Sequence, residues 1–217
     1  MEKERKVKVI VMTTLVLIML GISIGFAAFS NTLKISSEVD VTPGSSAFNV
    51  DFSSASDSVV TDEIVPVTTP AGLTASNATI NNSGDPSISN LSVTFVEPGQ
   101  KVVYTFYSRN AGEYVSYLNE IKYANVVGKS SPRVCTAGTG TTDSLVQAAC
   151  DDIVVKVKVG NEAETDKTVT GISNHKLEKE SSELITVTLE YLSNGDRADG
   201  DFSVDFGDIT LSYSSVD

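Results

Sequence analysis

The stretch F-S-V-D-F-G-D-I-T-L-S-Y, residues 202–213, carries two apolar series that do not share a phase. Phe202, Val204 and Phe206 fall on even numbers, whereas Ile209, Leu211 and Tyr213 fall on odd ones. Alternation with period two marks a half-buried strand, because successive side chains point to opposite faces. One residue gained at Gly207-Asp208 keeps both series on the same side. A β-bulge does this, and glycine permits it. The segment before it alternates without interruption: Ile185, Val187, Leu189 and Tyr191 face one way, Thr186, Thr188 and Glu190 the other.

The same pattern recurs outward from this pair. Ile153, Val155, Val157 and Val159 are expected inward, with Lys156 and Lys158 outward. Leu91, Val93 and Phe95 form a strand that Pro98-Gly99 turns into another, where Val102, Tyr104 and Phe106 alternate with Val103, Thr105 and Tyr107. Bulk on both faces there predicts a central strand covered on both sides. Val115, Tyr117, Ile121 and Tyr123 predict a longer, less regular strand; Phe48, Val50 and Phe52 predict another. Residues 53–86 are rich in Ser, Thr, Asn, Asp and Pro and read as loops with one or two short edge strands. Residues 129–142 read as a loop. Thr142 or Asp143 can cap a short helix over 144–150. Residues 161–179 read as a polar connection with a weak strand at 168–172. About eight to ten strands, close turn signals and one short helix describe an antiparallel β-sandwich of Greek-key or jelly-roll, Ig-like type.

The chain has 217 residues, a net charge of −12, one histidine and no tryptophan. Its beginning differs from the rest. Lys3, Arg5, Lys6 and Lys8 precede a run over residues 9–29 without a charge. About 20 helical residues cross a hydrocarbon core of about 30 Å. A basic head, an apolar middle and a small-residue end make an export signal, with Gly25 and Ala27 before a cut between Ala27 and Ala28. A retained transmembrane anchor is the other reading, and the long apolar run favours it. In both, the basic end stays cytoplasmic and the rest lies outside. The expected organisation is therefore 1–27, signal or anchor, and 28–217, an extracellular sandwich domain. A second copy of the chain, the export membrane and its signal peptidase are the expected partners. The acidic balance argues against nucleic acid, and no small-molecule substrate is evident. No sorting motif L-P-x-T-G and no lipobox cysteine follows, so a cut chain is expected to stay at the cell only by association.

Residues 31–41 are expected to form the first strand after the signal. Leu33, Ile35, Val39 and Val41 alternate with Lys34, Ser36, Glu38 and Asp40, and Pro43-Gly44 ends the run. A free end with one apolar side suits a donor strand that adds to a neighbour's sheet edge, and pairing within its own sheet is the other reading.

Cys135 and Cys150 are an even pair in an exported chain, so a disulfide is expected, closing a loop of about 15 residues. His175 sits among Ser173, Asn174 and Lys176 and reads as a solvated loop residue. Asp196, Asp199 and Asp201 offer oxygen ligands in a Gly-containing loop, but without the EF-hand spacing, and a solvated hairpin tip is the expected state. Asp151-Asp152 reads as a solvated pair after the helix. No cofactor, metal or catalytic constellation is expected: one histidine cannot build H-E-x-x-H, and no phosphate loop joins a strand to a helix.

Gly25-Phe26-Ala27-Ala28-Phe29-Ser30 before a strand resembles the start of Gram-positive exported proteins of the TasA/camelysin kind. Glu97-Pro98-Gly99-Gln100, running through Phe106 to Asn110-Ala111-Gly112, is similar to their P-G-[DQ]…F…N-x-G pattern, as are the helix-then-strand of 144–159 and the final strand. The resemblance implies a jelly-roll subunit, freed by a dedicated signal peptidase, that assembles into extracellular matrix fibres through its N-terminal strand. Metalloprotease activity, also attributed to that family, is not matched by this sequence. The sequence thus leads to a structural filament protein rather than an enzyme, with a monomeric surface adhesin or ligand-binding module as the alternative.

Overall fold

The computed structural model describes residues 48–162 and 175–215. The proposed signal, the cut at Ala27-Ala28, the strand over 31–41 and the weak strand over 168–172 lie outside the described residues. Among the described residues, no helix is long and apolar enough to cross a membrane.

Thirteen strands and one helix are described, and the strand pairs are antiparallel throughout. They are β1 (Val50–Ser53), β2 (Val67–Thr69), β3 (Thr79–Asn81), β4 (Ser87–Ser89), β5 (Leu91–Phe95), β6 (Lys101–Asn110), β7 (Ser116–Tyr123), β8 (Arg133–Ala137), α1 (Asp143–Asp151), β9 (Ile153–Val159), β10 (Lys176–Leu177), β11 (Ser182–Tyr191), β12 (Phe202–Phe206) and β13 (Ile209–Ser214). One layer has the order β1-β6-β11-β9, with β2 sharing the β1 edge of β6. The other consists of two sheets joined end to end, β10-β7-β13-β4-β3 and β5-β12-β8. The joints are Asn90, in the left-handed region at φ 61°, and Gly207-Asp208. The expected antiparallel sandwich with one short helix is what forms.

The shift of phase in 202–213 is resolved at Gly207. Both apolar series are buried, as Phe202, Val204 and Phe206 on β12 and Ile209, Leu211 and Tyr213 on β13. The chain between them runs against the 124–132 loop. Gly207 N–H donates to the Pro132 carbonyl at 2.9 Å, and Ala124 N–H donates to the Asp208 carbonyl at 2.9 Å. A Cβ at 207 would lie 1.9 Å from the Ala124 oxygen, so only glycine fits.

The two layers meet over aromatic rings. Tyr191 of β11 contacts Phe95 and Phe202 from the opposite layer, at centroid distances of 5.8 and 5.5 Å. Both contacts are edge-on, the geometry ring quadrupoles favour. Tyr104 is also fully buried, and its hydroxyl donates to the Ser76 carbonyl at 2.9 Å. Burial pushes its pKa up to about 12.

The motif residues before and after β6 are turn devices. Gln100 Oε1 accepts from Val96 N–H at 2.7 Å and Glu97 N–H at 3.2 Å, closing the turn at Gly99, whose φ is 92°. Buried Asn110 donates to the carbonyls of Tyr114 and Leu177 and accepts from Gly112 N–H.

Four local expectations are corrected. Residues 129–142 are not only loop, because β8 lies within them. It pairs with β12 and is tied to α1 by the Cys135–Cys150 disulfide, whose Cα atoms are 6.1 Å apart. A crosslink spanning 15 residues stabilises by about 3 kcal/mol in the chain-entropy model. β6 is central, but its outer face is only half covered: Val103 and Tyr107 are half-buried and Thr105 is exposed. β7 turns Ser116, Leu118 and Ile121 inward rather than Val115 and Tyr117, since its register against β13 shifts between Ser212 and Tyr213. Thr142 is the helix N-cap residue, yet its side chain makes no capping bond.

Gly207→Ala is expected to lower unfolding free energy by about 3 kcal/mol, because rigid backbone would have to move. Urea titration with an unchanged slope checks this; stability within about 0.5 kcal/mol of the parent would contradict it.

Candidate functional site

β9 is the last strand of its layer, and among the described residues nothing pairs with its outer side. Its sequence, IVVKVKV, is mostly β-branched, which suits a pleated strand. Hydrogen bonds at its two ends show which backbone groups are free. Gly160 N–H donates to the Leu184 carbonyl at 2.8 Å, and Leu192 N–H donates to the Asp152 carbonyl at 3.1 Å. Even-numbered residues therefore bond to β11, and the backbone groups of Ile153, Val155, Val157 and Val159 point outward.

That edge is closed at both ends. The Arg133 guanidinium donates to the Ile153 carbonyl oxygen. Glu162 N–H donates to the Val159 carbonyl at 2.9 Å. Between these caps, no described residue bonds to the N–H and C=O of Val155 and Val157. An exposed edge of this kind is a template for another strand.

A cavity of about 670 Å³ opens beside the start of β9. Ile153, Val154 and Val155 form one wall, and Pro132, Phe206 and Ile209 form another. Val155 is half-buried while Ile153, Val157 and Val159 are fully buried. Arg133 stands at the rim, with Asp151 at 3.9 Å. Burial pulls its pKa below the usual guanidinium value, opposed by Asp151. The disulfide joins β8, which carries Arg133, to α1, which carries Asp151. One covalent link thus fixes the corner where β9 starts.

His175 is not solvated. Its side chain is 11% exposed, with Nε2 2.5 Å from Glu183 Oε2 and Nδ1 3.2 Å from Glu162 Oε1. Tyr213 OH donates to the other Glu183 oxygen at 3.5 Å. Burial works against charge on His175, but the hydrogen bond and charge of Glu183, then of Glu162, outweigh it and leave its pKa raised. Burial pushes the Glu183 carboxyl up, against the pull of His175. Both ring nitrogens face carboxylates, so neither is left to activate a hydroxyl, and the two carboxylates lie on opposite sides of the ring and cannot hold one metal ion with it. The signal for this cluster was present in the sequence. Glu183 continues the inward odd-numbered series of β11, and a carboxylate in that phase needs a partner.

The acidic loop is structural. Asp201 Oδ1 accepts from Thr139 N–H at 2.7 Å, and Asp196 N–H donates to Asp152 Oδ2 at 2.6 Å. Asp151 and Asp152 are thus partnered rather than merely solvated. Among the described residues, no group of three or more His, Cys, Asp or Glu side chains is arranged to hold a metal ion. Cys135 and Cys150 are brought together as expected, while Leu33, Ile35, Val39 and Val41 lie outside the described residues.

No family model matches the chain, and no curated protein or solved structure matches it.

His175 and Glu183 both hold protons more readily folded than unfolded, since both values are raised from 6.5 and 4.5. Their contribution is present below those values and is lost as pH rises through the folded ones. His175→Gln is expected to lower the melting temperature most below pH 6.5, with the gap narrowing as pH rises. Thermal unfolding across this range checks it, and a gap independent of pH would contradict the assignment.

Proposed function

We propose that this chain is an exported structural protein, a subunit of an extracellular surface or matrix filament in which the segment 31–41 of one copy adds to the sheet of the next. The observation that supports this most is the edge of β9, unpaired among the described residues, beside a cavity of mixed apolar and polar lining. The edge offers unpaired backbone groups, and the cavity offers room for apolar side chains. The segment 31–41 has one apolar side and follows the proposed cut, so export would release it as a free end. Addition head to tail does not close, and it grows a fibre. No catalytic role is assigned.

The cavity volume also supports a second reading, a monomeric surface adhesin or ligand-binding module, because small-molecule sites span roughly 300–1,000 Å³. Assembly separates the two. Protein starting at Ala28 is expected to form fibres by electron microscopy and to sediment as polymer. Removal of residues 28–41 is expected to leave a folded monomer. Monomers from the Ala28 form under all conditions tried would overturn the filament reading and leave the binding-module reading standing.

A further inference from the structure

We infer that Lys158, with Lys156 beside it, selects the incoming strand and sets its register by facing Glu38 and Asp40 of a second copy. The inference rests on the filament reading and adds to it the residues that choose the partner strand.

The outward face of β9 is basic. Lys156 is held by Glu190 of β11 at 2.5 Å. Lys158 is exposed and lies opposite Thr186, which carries no charge. Among the described residues no ion pair forms on Lys158, so the edge presents one unanswered positive charge beside one that Glu190 holds. The outward residues of the segment 31–41 are Lys34, Ser36, Glu38 and Asp40, so its second half is acidic on that side. Opposite charges facing each other across two strands attract, and like charges repel.

Backbone chemistry picks out one antiparallel register. With Glu38 opposite Lys158, Asp40 falls opposite Lys156. Val39 and Val41 then face Val157 and Val155, the two residues whose N–H and C=O no described residue bonds. In the same register Pro43 falls opposite Ile153. Proline has no N–H to donate, and the Ile153 carbonyl is already occupied by Arg133. A slip of two residues one way puts Pro43 opposite Val155, whose carbonyl then goes unanswered. A slip of two the other way puts Val41 opposite Ile153, where Arg133 is in the way, and leaves Lys158 facing Ser36. A slip of one residue turns the apolar side to solvent. Charge, proline and the arginine cap therefore agree on a single alignment.

Complementation between charge-reversed chains tests this, using protein that starts at Ala28. Lys158→Glu alone and Glu38→Lys alone are each expected to raise the critical concentration for fibre formation about tenfold, because attraction becomes repulsion. Circular dichroism and melting temperature should match the parent, since Lys158 is exposed. Mixing the two single variants is expected to restore assembly, since each donor then meets an acceptor of opposite charge. The double variant Lys158→Glu/Glu38→Lys is expected to assemble alone. Single variants that assemble like the parent would overturn the register and leave the filament reading intact. Single variants that fail both alone and mixed would also overturn it. A parent that never assembles would overturn the filament reading itself.

Discussion

The close approach of Gly207 to the Ala124 carbonyl is the constraint on which the rest depends. Without it, β12 and β13 could not both turn their apolar residues inward, because their phases differ by one. The same contact lets the 124–132 loop lie against the joint of the second layer, with Gly207 N–H bonded to Pro132. Pro132, Phe206, Gly207 and Ile209 then become walls of the cavity beside β9. One missing side chain thus connects the bend of the sheet, the packing of the core and the shape of the candidate site.

β9 ends its layer with no described strand on its outer side, and exposed edges invite uncontrolled pairing. Here the exposure is narrow. Arg133 covers one end, the turn at Glu162 covers the other, and Lys156 and Lys158 give the middle a charge. Such an edge discourages apolar strands of arbitrary sequence while leaving two residues open to one with the right charges. The disulfide contributes by holding Arg133, Asp151 and the start of β9 in one corner. Stability and the proposed choice of partner therefore draw on the same few residues.

Much of the strand pattern was legible, because period-two alternation records which face is buried without reference to any distant residue. Ile185 to Tyr191 and Phe202 to Tyr213 turned out as their phases imply. β8 was not legible: its five residues are only half-buried or exposed, and pairing with β12 makes it a strand. The inward turn of Leu118 depends on a register shift against β13, which local sequence does not record. His175 was misread because its partners are eight and thirteen residues away, on β11 and in the turn after β9. That β9 would be an edge was also hidden, since strand order is a property of the whole chain. The cysteine pair was legible because an expected export and an even count point to the same bond.

The central claim is that the backbone of Val155 and Val157 becomes paired when copies associate. Hydrogen exchange at these two amides, measured in the monomer and in the assembled protein, tests it most directly. The account predicts fast exchange in the monomer and strong protection after assembly, with the amides of Val39 and Val41 protected in step. Equal exchange at Val155 and Val157 in both states would contradict it.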